Sequence, residues 1–65
     1  METFQPGPLR NLICKIIYLD VGLYIGELYH FGQFLKVYTA FNRRDLIAQV
    51  KEDKFIIDYT NERIA

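Results

Sequence analysis

The sequence predicts an α+β fold: a three-stranded antiparallel β-meander, one short α-helix across it, and a C-terminal strand. Three observations predict it. Two β-branched and aromatic runs are joined by the Gly-ended segment Asp20-Val21-Gly22, the grammar of a tight hairpin loop. A third such run follows a second turn that contains Gly32. Directly after it, Asn42-Arg43-Arg44-Asp45 places a capping residue three positions before a carboxylate, a variant of the capping box that opens a helix.

Each element has its own warrant. Residues 1–11 read as an irregular arm, because Pro6-Gly7-Pro8 suits neither a ladder nor a helix interior. The domain proper spans 12–60, and 61–65 reads as a fraying tail. Strands are expected over Leu12–Leu19, Leu23–Tyr29 and Phe34–Phe41. The helix is expected over Arg43–Lys51, with Phe41 and Leu46 placed to form a hydrophobic staple and Leu46, Ile47 and Val50 on one side. The rival reading of this segment is a fourth strand, Asp45–Lys51. Phe55–Thr60 is β-branched and aromatic and reads as the last strand.

Pairing across Asp20-Val21-Gly22 sets Leu19 against Leu23, Tyr18 against Tyr24, Ile16 against Gly26, Lys15 against Glu27 and Cys14 against Leu28. Cys14, Ile16, Tyr18, Tyr24, Gly26 and Leu28 then share a charge-free face, with Gly26 where a helix could approach closely. The second turn holds either His30-Phe31-Gly32 or Phe31-Gly32 alone. The two-residue version is preferred because it pairs Glu27 with Lys36 and aligns Leu35, Val37 and Phe41 with the charge-free face. The opposite face then carries Tyr29, Phe34 and Tyr38 around a Lys15–Glu27–Lys36 rung, the aromatic, sparsely charged composition of a protein interface.

Composition excludes several classes. The chain has 65 residues, is 51% apolar and 15% aromatic, and balances eight basic against eight acidic side chains. A chain of that length buries only about 60% of its unfolded surface, so its core is marginal without reinforcement. A single cysteine, Cys14, forbids an internal disulfide, and one histidine with one cysteine cannot supply a four-ligand structural zinc site unless carboxylates or a second chain join in. Oligomerisation or complex formation remains. Zero net charge gives no counterion-release drive toward nucleic acid. The apolar stretch Leu12–Ile25 is broken by Lys15 and Asp20 and falls short of the about 20 residues of a membrane span. An unpaired thiol without an export signal points to the cytoplasm.

Catalytic chemistry finds no purchase. There is no serine; Cys14 is mid-strand while the sole histidine, His30, lies at the distal turn; and the carboxylates are scattered among Lys and Arg or in turns. Gly22, Gly26 and Gly32 lie on hairpins rather than at a strand-to-helix turn and form no phosphate loop. No catalytic, cofactor or metal residue is assigned.

One segment resembles a known family. Tyr18-Leu19-Asp20-Val21-Gly22, continuing through Gly26-Glu27-Leu28-Tyr29-His30-Phe31-Gly32-Gln33-Phe34, is similar to the first motif of Sm-like RNA-binding barrels, with Gly32 where the family carries Asp. That resemblance implies an all-β small barrel assembled into an RNA-binding ring, and it stands as the alternative. The preferred expectation is a non-catalytic protein-binding module, a small inhibitor, adaptor or oligomer subunit. Its partner-binding residues are Tyr29, Phe34, Tyr38, Glu27, Lys36 and Lys15, and its partner is another protein or an identical chain.

Overall fold

The computed structural model describes residues 1–64. Four strands, β1 (Glu2–Phe4), β2 (Leu12–Leu19), β3 (Leu23–His30) and β4 (Gln33–Ala40), form one antiparallel sheet in the order β1-β2-β3-β4. Two helices complete the chain, α1 (Arg43–Lys51) and α2 (Lys54–Ile64). An antiparallel sheet with a helix laid on one face is the expected architecture. The sheet is open, with β1 and β4 as its edges, so the closed-barrel alternative is not the fold.

The central hairpin has the expected register: Leu19 opposite Leu23, Lys15 opposite Glu27, Ile16 opposite Gly26 and Cys14 opposite Leu28. Gly22, at φ 82°, supplies the left-handed residue that ends its loop. The second turn is the two-residue form, with Phe31 at φ 52° and Gly32 at φ 81°, a pair of positive values matching the right-handed strand twist.

Beyond that turn the structure departs from expectation. A bulge beside Leu28 and Tyr29 shifts β4 by one residue, so that Tyr29 faces Phe34 but Leu28 faces Lys36 and Glu27 faces Val37. A one-residue shift moves every later side chain to the other face. The Lys15–Glu27–Lys36 rung therefore does not form. Tyr38 enters the core at 5% exposure, and Val37 turns outward. Leu35 remains packed against the core, but Phe41 is 84% exposed and makes no staple with Leu46.

The helix at Asn42 forms as expected. Asn42 is extended, its side-chain oxygen accepts from the Asp45 N–H at 2.8 Å, and its amide donates to the Asp45 carboxylate at 2.8 Å. Leu46 and Val50 project from α1 onto the face of Cys14, Gly26 and Leu28 and join Leu12, Cys14, Ile16, Leu28, Tyr38 and Ile56 in the core. Gly26 admits the helix: a Cβ there would lie 3.2 Å from Cys14 Sγ and 3.3 Å from a Leu46 methyl.

Both chain ends differ from the sequence reading. Glu2–Phe4 is not irregular but pairs with Cys14–Ile16, and the Arg43 guanidinium holds the Glu2 carboxylate, tying β1 to α1. Phe55–Thr60 is helix, not strand. Only Glu52 and Asp53 separate it from α1, too short a link to reach a sheet edge. Asp53 starts the new helix instead, its carboxylate accepting from the Phe55 N–H at 3.0 Å. The expected tail is helical through Ile64; its last residue, Ala65, lies outside the described residues.

Candidate functional site

Both helices lie on the same face of the sheet. α1 packs on β3 and β4. α2 is held by His30 Nδ1 and the Tyr59 hydroxyl at 2.7 Å, and by Lys36 Nζ and Asp53 Oδ2 at 2.6 Å. His30 and Lys36 are the register partners of core residues Leu12 and Leu28 and so point to the covered side.

The opposite face has no covering element among the described residues. Alternation and register arrange it in rows. Ile13, Tyr29 and Phe34 form the first; Thr3, Lys15, Glu27 and Val37 the second; Ile17, Ile25 and Thr39 the third; Leu19 and Leu23 close it at the hairpin. Phe34 is 52% and Val37 51% exposed, while Ile13, Ile17, Ile25 and Tyr29 are half-buried by their neighbours alone. An antiparallel sheet that keeps one face in water normally alternates apolar with polar residues. This face carries one cation and one anion.

Tyr29 organises those two charges. Its ring packs edge-on to Phe34 with centroids 5.8 Å apart, the Lys15 ammonium lies over it at 5.0 Å, and its hydroxyl donates to Glu27 Oε1 at 3.1 Å. That hydrogen bond to a carboxylate pushes the Tyr29 hydroxyl pKa upward. No carboxylate of the described residues pairs with Lys15.

Of the six residues expected to bind a partner, the structure brings Lys15, Glu27, Tyr29 and Phe34 together on the open face and sends Lys36 and Tyr38 to the covered one. There Lys36 and the Tyr38 hydroxyl both reach Asp53 Oδ2 at 2.6 Å. Burial, and then the bond to Asp53, drives the Tyr38 pKa up. Burial alone would raise the Asp53 pKa, but the bonds from Lys36, Tyr38 and the Phe55 N–H outweigh it and leave the carboxyl below its ordinary value. Val37 and Thr39 take the vacated places on the open face. No residue in β4 marks the bulge that put them there.

Groups suited to chemistry are dispersed or locked. The Cys14 thiol is fully buried and is pushed up to about 11, by burial first and Glu27 second, so it holds no reactive thiolate near neutrality. Among the described residues no three His, Cys, Asp or Glu side chains gather as a metal site, and no helix is long and apolar enough to cross a membrane. A concavity of about 210 Å³ lies between Pro6-Gly7-Pro8 and α2, walled by Ile56, Ile57 and Ile64.

Compared with protein-family models, with curated proteins and with solved structures, the chain matches none.

Proposed function

We propose that this chain is a non-catalytic protein-binding module whose working surface is the open face of its sheet, acting as an oligomer subunit, adaptor or inhibitor. One observation carries the reading: β2 and β3 are apolar on both sides, yet both helices cover only one. The uncovered side runs from Leu19 to Phe34 and leaves Phe34 and Val37 exposed, an apolar patch of the kind that marks a protein interaction site. A buried thiol, a histidine engaged by Tyr59 and dispersed carboxylates support a binding role over a catalytic one. The unpaired thiol also supports a cytoplasmic setting. Single-stranded nucleic acid is the weaker occupant, since Lys15 is the only cation on the face and a stacking platform works beside a basic groove.

The test is site-specific photo-crosslinking in living cells. A photoreactive residue replacing Val37 is expected to give polypeptide adducts, and one replacing the exposed Asp58 of α2 is expected to give none. Equal labelling from both positions, or adducts from Val37 that a nuclease removes, would overturn the reading.

A further inference from the structure

We propose that the occupant of the open face is a second copy of this chain, seated face to face about a two-fold axis that runs parallel to the strands between β2 and β3. This rests on reading that face as an interface. The charge pattern selects the partner and the axis together. Lys15 and Glu27 are register partners on adjacent strands and, among the described residues, the only charged side chains of the face. Two in-plane axes relate face-to-face copies of such a sheet with their strands aligned, as in a β-sandwich. An axis across the strands, along the row of Lys15 and Glu27, sets Lys15 on Lys15 and Glu27 on Glu27, which is repulsive. The axis along the strands lays β2 over β3 of the second copy, so each Lys15 meets the other copy's Glu27 and two ion pairs close.

The apolar rows agree with that choice. The same operation sets Ile17 over Ile25, Leu19 over Leu23 and Ile13 over Tyr29, so apolar side chains meet apolar ones as in an aligned β-sandwich. Tyr29 already holds both charges in place, with Lys15 against its ring and Glu27 on its hydroxyl. With a net charge of zero, two copies meet without overall repulsion. Area sets the strength. Strands of eight residues span roughly 26 Å, and three of them roughly 15 Å across, a flat footprint of about 400 Å² per copy. Side-chain relief raises the combined area toward the lower end of specific interfaces, about 1,200 Å², so the pair should dissociate on dilution.

The experiment reverses the charges on the full chain and follows mass by sedimentation. Lys15→Glu and Glu27→Lys are each expected to weaken self-association about tenfold or more, because each puts like charges across the two-fold. An equimolar mixture of the two variants is expected to form a heterodimer, and Lys15→Glu/Glu27→Lys in one chain to restore the wild-type dimer. The restored pair and the mixture show that the single variants are folded. A dimer indifferent to the single reversals overturns the arrangement. A wild-type chain that stays monomeric at every concentration overturns the second copy. If that monomer still yields polypeptide adducts from the Val37 position, the face reading survives without it; if it yields none, both fall.

Discussion

The two faces of one sheet are built from the same strands and differ in whether a later segment of the chain covers them. On one side Leu12, Cys14 and Leu28 are wholly excluded from water, because Leu46 and Val50 of α1 and Ile56 of α2 close over them. On the other, Ile17 and Ile25 are just as apolar but stay half-buried, because no later segment crosses to that side. The fully or nearly fully buried apolar residues after β4, Leu46, Val50 and Ile56, all join the core on one side of the sheet. The covered face thus accounts for the fold, and the open face is the surface proposed to bind a partner.

The largest effect that separates the faces is a cavity. Leu46→Ala removes a side chain with no exposure and should cost about 2–5 kcal/mol, read as a fall in the denaturant midpoint. Ile25→Ala on the open face, measured in dilute monomer, should cost about 1 kcal/mol or less. Comparable losses would mean that both faces are packed within one chain. Next comes crowding. Gly26→Val pushes branched carbons into Cys14 and Leu46 and should cost about 1–3 kcal/mol; a neutral result would place α1 farther from the sheet.

The smallest effect is electrostatic. Asp53, with its carboxyl held below the ordinary 3.8, binds protons less readily folded than unfolded. Its contribution is therefore complete above the unfolded value, near pH 4, and is lost as pH falls through the lower folded value. Acid titration of stability should show this loss in the wild type and not in Asp53→Asn, which should already be less stable at neutral pH. An identical acid limb in both would detach Asp53 from the Lys36 and Tyr38 bonds that join α2 to the covered face.

The parts legible in the sequence are those set by local chemistry. Gly22 fixes the first hairpin and with it the register that places Lys15 beside Glu27 and Gly26 beneath α1. Asn42 and Asp45 announce α1 through bonds made within four residues. The illegible parts depend on context. The bulge beside Leu28 and Tyr29 has no glycine to mark it, yet it moves Lys36 and Tyr38 off the candidate site and Val37 onto it. In α2, Phe55, Ile56, Ile57, Tyr59 and Thr60 favour a strand by intrinsic preference. The two-residue link after α1, the Asp53 cap and the Tyr59–His30 bond override that preference. β1 is three residues long, too short for a sequence pattern, and is held by pairing to β2 and by Glu2 on Arg43. Four of the six candidate residues share the open face because they sit on the hairpin register or just past the second turn, before the bulge acts.

The most direct measurement of the open face as the interface between two copies of the chain is a dilution series of methyl spectra on the wild type. An interface there predicts that the Ile17, Ile25 and Val37 methyl signals move with concentration while those of Leu46 and Val50 stay fixed. Signals of Ile17, Ile25 and Val37 that hold still through a change in mass, or that never move at any concentration, would contradict it.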